Sequence, residues 1–191
     1  MEPQPYETPL VELALVSSWL AFQWEHGMSD GLADLLAVFS ASPLTHLEVV
    51  GLCAPVSAET WATVFRMFPS LVSLDAGAEA EGALFAGLRE AESESACMES
   101  VAWGDCTEAG SRIPACRGLE RISVTPYSGL SQTPEQILEP LIHCLRYRAE
   151  RGIRVKQLYL DLNMRIDGVK RYLPQLEDLV SNVKVKCRRT S

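Results

Sequence analysis

Six segments of the chain share one spacing, apolar-x-x-apolar-x-apolar: LVELAL at Leu10, LTHLEV at Leu44, LVSLDA at Leu71, MESVAW at Met98, LERISV at Leu119 and VKQLYL at Val155. A weaker seventh, VSNVKV, starts at Val180. They begin 34, 27, 27, 21, 36 and 25 residues apart, near the length of one strand plus a returning helix or loop. A unit of that size cannot bury its own apolar face. Successive units must therefore stack, and stacking leaves one face of the resulting sheet free.

Within each segment, period-two alternation puts the fourth and sixth places on one face of a strand and the fifth on the other. Leu47, Val49, Leu158 and Leu160 are expected in the core, and Glu48 and Tyr159 on the outside. Strands are predicted at about 12–16, 46–50, 73–76, 100–103, 121–124, 157–161 and 183–186, forming one parallel sheet in chain order. Between them the pattern switches to helical spacing. Trp61, Val64, Phe65 and Phe68 make one apolar stripe that Pro69 ends. Ile137, Leu138, Leu141, Ile142 and Leu145 make another, opened by Thr133 as N-cap with Pro134 at the first helical position and stopped at Gly152. Further helices are predicted over 29–39, 81–91 and 168–179, and a loop within the acidic stretch Glu90 to Ser100.

The order SPLTHLEVVGL, a Trp-bearing helix, FPSLVSLDAG and RYRAERGIRVKQLYL resembles the leucine-rich-repeat region of fungal, mushroom-type F-box proteins, over roughly Leu10 to Val185. The Asn or Cys that caps the turn after each strand in leucine-rich repeats is matched by Cys106 and Asn163. The resemblance implies an α/β leucine-rich-repeat solenoid, with a curved parallel sheet inside and helices on the convex side. Its implied function is non-catalytic protein binding, as the substrate-recognition part of an F-box-like receptor of a cullin-type ubiquitin ligase. Nine residues precede Leu10, so the F-box itself is not expected in this chain, and a cullin-ligase adaptor would bind only through an F-box lying elsewhere.

One domain over 1–191 is expected, with 1–9 as a lead-in and 187–191 as a flexible basic tail. No apolar run reaches the length of a membrane span. The start, MEPQPYETP, carries acid and proline where a secretory signal carries basic charge, so a cytoplasmic or nuclear location is expected. Six irregularly spaced cysteines read as reduced and mostly buried.

Charge is distributed unevenly. Residues 1–110 hold 17 acidic side chains against Arg66 and Arg89, whereas 111–191 hold 8 against 15 basic ones. A solvated surface accounts for such blocks, and so does a partner steered into one polarity. Outward places of the hexapeptides nominate Glu48, Asp75, Arg121, Lys156 and Tyr159 as the partner-binding residues, with Tyr159 as the aromatic anchor.

Other chemistries find little support in the sequence. His26, His46 and His143 are the histidines available as a base, and adjacent residues such as His143 and Cys144 point apart on a helix. Cys97, Cys106 and Cys116 lack the close spacing of a metal site, and no glycine-rich phosphate loop occurs, so no metal and no cofactor are expected. Two alternatives to protein binding are a nucleic-acid or anion binder using the basic C-terminal half, and a cysteine-dependent hydrolase.

Overall fold

The computed structural model describes residues 12–16, 27–39, 43–51, 56–78, 81–94, 115–125, 133–162, 164 and 166–187. These residues form an α/β structure built on a parallel sheet of six strands in chain order: β1 (Glu12–Val16), β2 (His46–Gly51), β3 (Ser73–Ala78), β4 (Arg121–Val124), β5 (Gln157–Leu162) and β6 (Asn182–Cys187). Helices α1 (Gly27–Phe39), α2 (Ala58–Met67), α3 (Glu81–Glu94), α4 (Pro134–Glu150), α5 (Ile166–Lys170) and α6 (Leu173–Leu179) stand between the strands. Parallel strands joined in chain order by right-handed crossovers place all their helices on one side of the sheet. Accordingly α2 packs on α3, α3 on α4 and α4 on α6.

The hexapeptide spacing sets the register. Leu47 pairs with Leu74, Leu74 with Ile122, and Ile122 with Leu158, so the fourth places form a continuous ladder. All four are buried, as are the sixth-place residues Val49, Ala76, Val124 and Leu160 and the first-place residues Leu44, Leu71, Leu119, Val155 and Val180. They belong to one apolar cluster with Trp61, Phe65, Leu84, Phe85, Leu88, Leu141 and Leu145 from the helices.

The backbone repeats as regularly as the side chains. The carbonyl of Thr45 accepts from the N–H groups of Val72 and Ser73 at 2.8 and 3.0 Å. Val72 accepts likewise from Glu120 and Arg121, and Glu120 from Lys156 and Gln157, while Lys156 accepts from Asn182 at 3.0 Å. Each second-place carbonyl thus binds the start of the next strand.

Caps follow the local sequence. Ser57 Oγ accepts from the N–H of Thr60 at 3.1 Å, opening α2. At α4 the Thr133 N–H donates to Gln136 Oε1 at 2.9 Å, one half of a capping box. Its far end closes in a Schellman motif, with Ile153 N–H on Arg148 O, Gly152 N–H on Ala149 O, and Gly152 at φ +73°.

Three expectations require correction. The predicted strand at 100–103 lies outside the described residues, and its expected place is closed because β3 hydrogen-bonds directly to β4, Ser73 opposite Arg121. The single helix predicted over 168–179 is two, since Pro174 has no N–H to donate and its ring crowds the preceding turn; the chain turns at Arg171 and Tyr172 instead. The helix predicted over 81–91 runs on to Glu94 as α3, and the rest of the acidic stretch, with its expected loop, lies outside the described residues. In addition, β6 runs through Cys187, the first residue of the expected tail. The turn-capping residues Cys106 and Asn163 lie outside the described residues.

Candidate binding surface

Residues between the buried places point away from the helices and form rows across the sheet. One row runs Glu48, Asp75, Ser123, Tyr159, Lys184 on β2 to β6. Its neighbour runs His46, Ser73, Arg121, Gln157, Asn182. Strand spacing of ~4.8 Å separates successive members. Exposure rises along the sheet: Glu48 and Asp75 are half-buried, whereas Arg121, Gln157, Tyr159, Asn182 and Lys184 are exposed.

Of the five residues nominated from the sequence, Glu48, Asp75 and Tyr159 share one row and Arg121 stands one row over. Lys156 does not join them. It precedes β5, outside the pairing ladder, and its Nζ lies 2.5 Å from Glu120 Oε1. The second place of the hexapeptide is not in the strand, so alternation does not govern it.

His46 lies within β2, and its Nε2 stands 2.8 Å from Asp75 Oδ2, a diagonal contact between adjacent rows. Ser73 faces His46 in register, yet it is buried and its hydroxyl has no hydrogen-bond partner. A serine–histidine–carboxylate relay is therefore not joined at the serine. Two residues beyond Tyr159 the same alternation delivers Asp161, buried and 3.1 Å from Lys186 Nζ. Continuing the period-two count would have found it.

Two further groups of chemical interest sit on the helical side. Arg148 and Glu92 form a fully enclosed ion pair between α4 and α3. Arg148 Nη2 also donates to the carbonyls of Cys116 and Leu119, at 3.2 and 3.4 Å. Burial pushes the Glu92 carboxyl up to about 7, against the opposing pull of Arg148 and Arg151. Cys116 and Cys144 are free thiols, each pushed up to about 12 by burial, so neither is a thiolate at neutral pH.

Among the described residues, no helix is long and apolar enough to cross a membrane, and no His, Cys, Asp and Glu cluster could hold a metal ion. What remains, among the described residues, is the sheet face opposite the helices, acidic and half-buried over β2 and β3, and basic and exposed over β4 and β6. Comparison of the chain with protein-family models, curated proteins and solved structures finds no match.

Proposed function

We propose that this chain is a non-catalytic protein-binding domain of leucine-rich-repeat type, a curved solenoid whose parallel sheet lines the inner side. Its partner lies on the rows containing Glu48, Asp75, Arg121 and Tyr159. The observation carrying this reading is the step repeated from Thr45 to Val72, Glu120 and Lys156, where one carbonyl receives the start of the next strand each time. Such stacking leaves one sheet face opposite the helices, where Arg121, Gln157, Tyr159 and Lys184 are exposed, and extended faces of that kind serve as binding surfaces in repeat proteins. The resemblance of the hexapeptides and helix junctions to mushroom-type F-box proteins extends the reading to substrate recognition for a cullin-type ubiquitin ligase, in the cytoplasm or nucleus.

Tyr159 and Arg121 separate this reading from its rivals. Wild-type chain and the Tyr159→Ala and Arg121→Glu variants are immobilised, and retained proteins are quantified by mass spectrometry and then by surface plasmon resonance. A partner held by the wild type is expected to dissociate faster from Tyr159→Ala and to associate more slowly with Arg121→Glu. A partner bound with unchanged kinetics by both variants would place binding on the helical side. A ligase role further requires that this partner be ubiquitinated by a cullin complex containing the chain, and a partner left unmodified there would reduce the proposal to binding alone.

A further inference from the structure

The outward row changes sign in one direction only. Along β2 the outward places are His46 and Glu48; along β6 they are Asn182, Lys184 and Lys186. A ligand lying along any one of these strands meets a single sign of charge. Only a ligand crossing the strands meets Glu48 and Asp75, then Ser123 and Tyr159, then Lys184.

We infer that this row takes an extended peptide lying across the strands, with a basic side chain over Glu48 and Asp75 and an acidic one beside Lys184. The inference deepens the binding reading above and rests on it. Backbone groups of β2 to β5 are engaged in the sheet ladders on both sides, so recognition falls to side chains rather than to strand addition. Among the described residues, Glu48, Arg121 and Lys184 have no ion-pair partner, whereas Lys186 is held by Asp161. Asp75 already faces His46 Nε2 at 2.8 Å, so Glu48 is the acid left for the peptide's basic side chain and Asp75 adds charge beside it. Tyr159 lies between the charged ends as a flat amphipathic surface under the peptide.

Geometry fixes the charge spacing of the peptide. Asp75 and Lys184 are three strand spacings apart, ~14 Å, and Glu48 is one further, ~19 Å. An extended chain advances ~3.4 Å per residue, so its basic and acidic side chains stand about four to six positions apart. Nucleic acid suits the row less well, because its unbroken phosphate charge would run over Glu48 and Asp75.

Fluorescence anisotropy at low salt tests this with labelled peptides of about ten residues. One carries arginines at one end and glutamates at the other, one carries arginines at both ends, one carries glutamates at both, and a single-stranded oligonucleotide serves as the fourth probe. The mixed-charge peptide is expected to bind about ten-fold tighter than the others. Lys184→Glu, an exposed change checked for folding by circular dichroism, should shift the preference to the all-arginine peptide. Equal affinities, no measurable binding of the mixed peptide, tighter binding of the oligonucleotide, or a preference unmoved by Lys184→Glu would each overturn the inference. A partner that still depends on Tyr159 while the peptides fail would leave the surface assignment standing and remove only this one.

Discussion

Arg148 and Glu92, 56 positions apart in the chain, meet as a fully enclosed ion pair between α4 and α3. Arg148 Nε and Glu92 Oε2 have no hydrogen-bond partner, so the pair is incompletely satisfied. A buried ion pair costs much desolvation, and removing one member strands the other. Its value here lies in the second attachment, through Arg148 Nη2 to the carbonyls of Cys116 and Leu119 just ahead of β4.

Arg148→Met is therefore expected to destabilise by about 3–5 kcal/mol in urea unfolding, because Glu92 remains buried without its cation. Adding Glu92→Leu should recover part of that loss but not all, since the Cys116 and Leu119 carbonyls stay without their donor. Full recovery in the double variant would show that the loop contacts contribute nothing.

The same carboxyl predicts a dependence on pH. Glu92 ionises near 4.5 when unfolded and near 7 when folded, so the folded state binds the extra proton between those values. Its stabilising contribution is complete below the lower value and is lost as pH rises through the upper one. Arg148 and Arg151 favour the ionised form, while burial, the larger influence, opposes it. Subtracting the unfolding curve of Glu92→Gln from that of the wild type should give a difference falling with pH across this window, with a slope of at most ~1.4 kcal/mol per pH unit. A difference that rises instead would mean that Arg148 holds Glu92 ionised throughout.

At Gly87 α3 lies close against α2. A methyl group there would meet Trp61 Cβ and lie 2.6 Å from Ala58 O, a backbone atom that cannot swing aside. Gly→Ala in a helix is ordinarily favourable by up to ~1 kcal/mol. Here Gly87→Ala is expected to lower stability by roughly 1–3 kcal/mol through overpacking, measured by thermal or urea unfolding. A stabilised variant would show that the two helices separate at little cost.

Cys116 and Cys144 should resist alkylation. Cys116 Sγ donates to the carbonyls of Phe65 and Phe68, at 3.3 and 3.5 Å, and both thiols lie in the core. Mass-spectrometric mapping after treatment with N-ethylmaleimide should find them labelled at least ~100-fold more slowly in the native chain than in urea. Rapid native labelling of either would reveal local opening around the turn at 115–118.

Much of the fold was legible because burial and spacing are coupled. An apolar residue at the first, fourth or sixth place has to leave water, and the strand geometry then fixes its neighbours; Leu47, Leu74, Ile122 and Leu158 follow directly. The same pattern is too short to identify a strand unaided. MESVAW fits it as well as LERISV, yet β3 pairs with the latter. Pro174 is a helix breaker lying inside the helix expected over 168–179, a signal that the expectation did not use. The Arg148–Glu92 pair left a fainter trace: Arg148 continues the stripe of Leu141 and Leu145, and Glu92 that of Phe85 and Leu88, each charged where an apolar residue would be expected. On the surface, alternation placed Glu48, Asp75, Arg121 and Tyr159 but failed for Lys156, where the strand has not begun.

In a sheet whose strands follow chain order, each unit touches only the next, and a break at one junction can let the two ends unfold separately. The widest interval in the described sheet separates β3 from β4, where cooperativity is most easily lost. Arg148 spans it from the far side, holding α3 through Glu92 and the entry to β4 through two carbonyls. This side chain adds a buried polar tie to the β3–β4 pairing and the α3–α4 packing that join the acidic and basic halves, so amide protons of β2 and β5 should exchange with the same opening free energy.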